Sequence, residues 1–164
     1  MDALDKVLLR MGDPEPPKPR KVRLNPADHY SPAVLLERAA YLRKLAKHGD
    51  GSAGETLKEY PQHFTMLSFR SRSGEAEIHA DHADLFYVLD GCATLVTGGT
   101  VAKGRTTGAG ETRGESIEGG TRQELRAGDL AHVPAGVPHQ MLVAADKTVT
   151  CFVMKVRETP AQEP

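Results

Sequence analysis

GDLAHVPAGVPH, residues 128–139, is the stretch on which the fold turns. Gly128-Asp129 reads as a turn and Leu130 to Val133 as a short strand. Pro134-Ala135-Gly136 reads as a sharp bend, since proline fixes φ and removes a ladder donor while glycine admits the conformations a bend needs. His139 then opens the next strand, HQMLVAA (139–145), among apolar neighbours. A histidine held just after a rigid bend is well placed to point into a barrel.

Outward from this stretch the chain keeps the same texture. HFTMLSFR (63–70), AEIHA (76–80), DLFYVLDG (84–91), CATLVTGG (92–99) and TVTCFVMKV (148–156) are short runs rich in Val, Leu, Phe, Thr and Tyr, parted by glycine-bearing turns. Regularly spaced strands of this kind predict an antiparallel sandwich or barrel. Asp90-Gly91 and Gly98-Gly99 read as hairpin turns. No long helical pattern interrupts the run, which disfavours a parallel α/β fold. The glycine-, threonine- and charge-rich stretch from Gly99 to Gly120 has two readings, a functional lid or a decorated hairpin extension.

The chemistry-bearing residues cluster in GEAEIHADHADLFYVLDG, residues 74–91. Side chains alternate faces along a strand, so Glu77 and His79 project to the same side. A tight turn through Ala80-Asp81-His82-Ala83 reverses the chain and brings Asp84 beside them. A Glu and a His on a strand also suit a solvated polar face, so this spacing alone leaves the choice open.

Taken together, the two segments resemble the paired motifs of the cupin superfamily. The second motif of that family is matched by Gly128, Pro134, Gly136 and His139, with Val143 in place of its closing asparagine. In the first motif Gly91 fits the closing glycine, Asp84 stands where a glutamate is usual, His79 is the second histidine and Glu77 takes the place of the first. The resemblance covers roughly residues 60–157 and implies a mainly β protein, an antiparallel jelly-roll barrel. It also implies one divalent metal ion per chain, held by Glu77, His79, Asp84 and His139. Two imidazoles and two carboxylates suit Fe, Mn, Zn or Ni and offer nothing to favour Cu(I).

Other residues are weighed around that site. His82 falls in the turn at the barrel mouth, as a further ligand or a substrate contact, and shares with Glu77 the candidate catalytic role of proton exchange. His63, on the first barrel strand, and His132, two residues before Pro134, are candidates for the substrate pocket, His132 equally for a satisfied core position. Phe86 and Met141 are core residues first and pocket walls second. Glu111 and Arg113 of the long loop could reach over the mouth, though solvated side chains are the default there, and Arg70 could bind an acidic substrate but is more often exposed on the outer face. Cys92 and Cys151 lack a CxxC spacing and read as two reduced thiols in apolar strands.

The remaining sequence frames the barrel. A length of 164 residues favours one domain with one real core. With 21 basic against 22 acidic residues, a formal net charge of -1, there is no electrostatic reason to expect nucleic acid or an anionic membrane as partner. Residues 12–28 carry five prolines and the basic cluster Lys18, Arg20, Lys21 and Arg23, the composition of a solvated extended arm. Ser31 caps a helix that Pro32 opens, Leu35, Ala39, Leu42 and Ala46 stripe, and Gly49 stops. GDGSAGE (49–55) reads as a linker. The expected organisation is therefore an arm with one or two N-terminal helices over 1–56, the cupin barrel over 57–158 and a short tail over 159–164. Val7-Leu8-Leu9 is too short for a signal-peptide core, and the expected compartment is the cytoplasm.

Two functions from different classes fit this picture. One is a metal-dependent enzyme on a small organic molecule, of dioxygenase (oxidoreductase), lyase or isomerase type, with the ion as Lewis acid or oxygen activator. The other is a non-catalytic barrel that binds or senses a small ligand; a degenerate, purely structural barrel is the weaker third. A homodimer is expected in each case, because sheet edges are otherwise left exposed, with the arm and helix as its contact.

Overall fold

The computed structural model describes residues 27–158. The proline-rich arm up to residue 26, the place of any second N-terminal helix, and the tail 159–164 lie outside the described residues. The helix α1 spans Pro32–Lys47; the Ser31 side chain accepts a hydrogen bond from the Val34 amide at 3.3 Å, and the Gly49 amide donates to the Ala46 carbonyl. Leu35, Ala39, Leu42 and Ala46 form its buried stripe. No helix among the described residues is long and apolar enough to cross a membrane.

Twelve strands follow, all of them paired antiparallel: β1 (Ser52–Glu59), β2 (His63–Arg70), β3 (Ala76–His79), β4 (His82–Thr97), β5 (Thr100–Ala102), β6 (Arg105–Gly108), β7 (Glu111–Gly114), β8 (Ser116–Glu118), β9 (Thr121–Arg126), β10 (Leu130–Val133), β11 (His139–Leu142) and β12 (Val149–Arg157). Ten of them make one curled, half-barrel sheet in the order β1-β2-β12-β4-β11-β3-β7-β6, with β9 and β10 also on β4, and β5 and β8 pair with each other. The mainly β, antiparallel architecture expected from the motifs is the one observed.

Strand alternation explains how the sheet covers two cores. Along β2, Leu67 and Phe69 pack under α1 with Phe152 of β12 beside them. The intervening Met66, Ser68 and Arg70 face the barrel interior, as do Cys151, Val153 and Lys155 of β12. Both strands therefore read as apolar on two faces, one served by the helix and one by the barrel. The helix spends its apolar stripe on its own sheet.

Three local expectations are corrected, and one choice between two readings is resolved. GDGSAGE is not a linker: Ser52–Glu59 form β1, whose Glu55 pairs with Arg38 of the helix, so residue 57 falls inside a strand. Asp90-Gly91 is not a hairpin turn but part of one 16-residue strand, paired with Thr150 and Val149 just after a bulge at Leu89, and there Gly91 has φ +80° and the Cys92 amide bonds the Thr148 carbonyl at 3.0 Å. The bulge lets β4 serve two sets of partners, β12 and β10 before it, β9 and β11 after it. The Gly99–Gly120 stretch is the hairpin extension rather than a lid, since β5 pairs β8 while β7 joins the main sheet beside β3. His132 lies exposed on β10, neither in the pocket nor in the core.

Candidate functional site

The barrel encloses a cavity of about 160 Å³, lined among others by Met66, Phe86, Met141 and Val153 on its apolar side and by Arg70, Arg113, Glu77, Asp84, His139 and Lys155 on its polar side. Strand register places each polar group. Glu77 and His79 share a face of β3, and His139 at the head of β11 is the direct partner of Glu77. The PAGVP bend does what its composition suggests: the Gly136 amide donates to the His79 carbonyl at 2.8 Å, tying the bend to β3 just before His139.

Both imidazoles are held from behind. His79 Nδ1 lies 2.7 and 2.9 Å from the two carboxylate oxygens of Glu111, its register partner on β7. His139 Nδ1 lies 3.1 Å from the Val137 carbonyl. An acceptor at Nδ1 holds a proton there, so that in the neutral ring the Nε2 lone pair points inward, the arrangement that orients metal-bound histidines. The two rings are each 4% exposed and 5.2 Å apart between centroids.

Glu77 bridges two charges. Its Oε1 accepts from Arg113, its register partner on β7, with Arg70 at 3.8 Å, while its Oε2 sits 3.2 Å from His79 Nε2 and 4.0 Å from His139 Nε2. Burial pushes the Glu77 carboxyl up, but the hydrogen bond from His79 and the Arg113 charge outweigh it and hold it down at about 2. So low a proton affinity suits a ligand.

Asp84 lies on β4, 3.5 Å from His79 Nε2 and 3.4 Å from His139 Nε2. The turn at residues 80–81 thus brings it to the site as expected, although β3 pairs with β7 and β11 rather than with β4. Both its oxygens accept from Lys155 Nζ, at 2.8 and 2.7 Å, and Lys155 is its direct register partner on β12. Burial opposes ionisation of Asp84, yet the hydrogen bonds from the two histidines and the Lys155 charge hold its carboxyl far below the usual range. For His79, burial lowers the proton affinity, but hydrogen bonds to Asp84 and Glu77 raise it to about 9, against the opposing charge of Lys155. Lys155 Nζ is 2.7 Å from His79 Nε2, which leaves room for one proton between them, so a doubly protonated His79 requires the ammonium to move off.

Glu77, His79 and His139 each offer one ligand atom, and the three atoms lie within 4.8 Å of one another. Two inward imidazole lone pairs and a carboxylate oxygen fit a divalent first-row ion. Asp84 borders this triad as a fourth oxygen donor already occupied by Lys155.

The pocket residues divide. Phe86, 6.2 Å from the His139 ring, and Met141 line the cavity as expected. His63 and His82 do not: they border a separate depression with Tyr60, Phe64 and Arg157. His63 stacks on Tyr60 at 4.3 Å and His82 Nδ1 bonds Asp81 at 2.7 Å. His82 is therefore removed from both the ligand and the catalytic role, because it faces away from the cavity that holds His79. Of the residues around the site, Lys155 escaped the sequence reading, while Glu111, Arg113 and Arg70 were weighed but set down as solvated or outward-facing by default. The only available signal was alternation, which puts Lys155 on the face of Val153 and Arg70 on the face of Met66. Burial pushes the Cys151 thiol in the cavity wall up to about 12, leaving it an inert small hydrophobe.

No protein-family model matches this chain, and no curated protein does. Among solved structures it is similar to KdgF from Halomonas sp., at 15% identity over 67% of this chain and 84% of that one, with a TM-score of 0.48. The cupin domain of Cnp3 from Schizosaccharomyces pombe is similar at 12% identity, 65% and 61% coverage and a TM-score of 0.48. The DMSP lyase DddQ from Ruegeria pomeroyi is similar at 16% identity, 69% and 50% coverage and a TM-score of 0.49. The chemistry of the site rests on its own side chains.

Proposed function

We propose that this cupin-fold chain is a metal-dependent enzyme acting on a small organic molecule, of dioxygenase, lyase or isomerase type. The observation that carries the proposal is the convergence of one ligand atom each from Glu77, His79 and His139 within 4.8 Å, with Glu77 and His139 lining the cavity. An iron, manganese, zinc or nickel ion on these donors supplies a Lewis acid or an oxygen-activating centre. The chain's own residues do the rest. Glu111 and the Val137 carbonyl keep both imidazoles in the ligand tautomer, and Arg113 anchors the Glu77 oxygen that faces away from the imidazoles. Met66, Phe86, Met141 and Val153 exclude water and receive the apolar part of the substrate.

One observation favours the second reading, a non-catalytic small-ligand binder or sensor. Lys155, Arg70 and Arg113 already balance Glu77 and Asp84, so the cavity is charge-compensated by protein groups alone. Elemental analysis of the purified protein beside a His79→Ala, His139→Ala double variant separates the two. Near-stoichiometric metal that vanishes in the variant is expected; a wild type that stays metal-free after incubation with all four ions sinks the enzyme reading.

The surroundings are proposed on softer grounds. Cys92 and Cys151 are both free, in keeping with the cytoplasm. β1 and β6 end the ladder, and an uncovered edge of either favours a homodimer, which light scattering at the monomer mass would refute.

A further inference from the structure

Lys155 is not a surface lysine reaching inward. Its neighbours two and four positions back on β12, Val153 and Cys151, line the same cavity, so its Cα–Cβ bond already faces the interior. Its side chain is 17% exposed. An ammonium has three protons, and three acceptors stand around this one: Asp84 Oδ1 at 2.8 Å, Asp84 Oδ2 at 2.7 Å and His79 Nε2 at 2.7 Å. The third of these is the lone pair that Glu111 aims into the site from the far side of the ring.

We propose that Lys155 is a resident competitor for the divalent ion: its ammonium occupies the cation seat in front of His79 and Asp84, and an ion enters only as Lys155 withdraws. The proposal rests on the metal centre put forward above. The steric part is direct. A metal bound to an imidazole stands about 2.0–2.1 Å from the nitrogen, so it and an ammonium 2.7 Å from the same atom cannot coexist. The electrostatic part has the same sign, because like charges a few ångströms apart repel strongly in a buried site. Lysine suits the part better than arginine, having a compact charge on a flexible stem beside an open cavity. The other nearby cations do not fill the seat, since Arg113 and Arg70 lie at Glu77 Oε1 while Oε2 faces the imidazoles.

Withdrawal of Lys155 has a second consequence. It frees both oxygens of Asp84, which stands 3.4 and 3.5 Å from the two imidazole Nε2 atoms. Asp84 then becomes the fourth ligand. Lys155 thus sets both the affinity for the ion and the number of protein donors it meets.

The test is titration of Mn(II), Co(II) and Zn(II) into the full chain by calorimetry, comparing wild type with Lys155→Met and Lys155→Gln. The Co(II) absorption bands report the coordination number. Lys155→Met is expected to bind roughly tenfold tighter or more. Its Co(II) spectrum should change, and adding Asp84→Asn should reverse much of the gain. If Lys155→Met does not fold, the comparison passes to Lys155→Gln, whose neutral amide still donates to Asp84. A wild type that takes no ion beside a variant that does also supports the competitor role. Variants that bind no tighter than a metal-binding wild type overturn it and leave the metal centre standing. Absence of binding in all three overturns both.

Discussion

Replacing Glu111 with alanine should weaken divalent-ion binding by about 10- to 100-fold, or roughly 1.4–2.7 kcal/mol. Glu111 touches no ligand position itself. Its carboxylate grips His79 Nδ1 at 2.7 and 2.9 Å, and His79 is only 4% exposed, so water is poorly placed to take over. Without it a buried N–H loses its acceptor, at about 1–3 kcal/mol, and the ring can relax by moving its proton to Nε2, where it blocks the ligand lone pair. The two estimates agree in size because they describe the same lost hydrogen bond. Glu111→Gln keeps a carbonyl that can accept from Nδ1–H, so it should fall between wild type and alanine. The assay is competition with a chromophoric chelator, with thermal melting to check the fold and Glu118→Ala, an exposed change in the same extension, as control. An alanine variant within twofold of wild type would refute the positioning of His79 by Glu111.

Two more outcomes follow from geometry away from the ion. Gly91→Ala should cost about 2–4 kcal/mol of stability in urea unfolding, because a Cβ there collides with the Thr148 carbonyl oxygen on a backbone of φ +80°; a loss under about 1 kcal/mol would mean that the close approach of the two strands there is not fixed. Glu77 is held down at about 2 against an ordinary value of 4.5, so the folded state binds its proton less readily than the unfolded chain. Its contribution of about 3 kcal/mol is complete above pH 4.5 and is lost as pH falls from there to about 2. Urea midpoints across that range should drop in wild type and drop less in Glu77→Gln, and parallel curves would contradict this.

Part of the site was legible in the sequence because it depends on local geometry. Glu77 and His79 share a face by strand alternation whatever the strand pairs with. His139 follows a proline–glycine bend whose shape is set by its own residues, and Phe86 and Met141 are apolar at inward positions. His82 and His63 were misplaced because a histidine near the others in sequence was taken as near in space. The start of β4 instead turns its His82 toward Phe64 and Asp81. Asp90-Gly91 misled for a related reason: glycine's left-handed backbone fits a strand just after a bulge as readily as a turn, and only the strand alongside tells which.

The sequence by itself determined a mainly antiparallel β fold with a helix before it, and a Glu-x-His pair joined by a histidine after a bend. Period-two patterning and turn chemistry are local properties, so one chain suffices to read them. Tertiary structure decided what surrounds those donors. Glu111 and Arg113 face His79 and Glu77 across 32 and 36 residues of chain, and Lys155 faces Asp84 across 71. Those meetings are matters of which strands become neighbours and in what register, settled by the packing of the whole sheet rather than by any one segment. The same packing put an ammonium where a metal-ligand motif alone would place an ion.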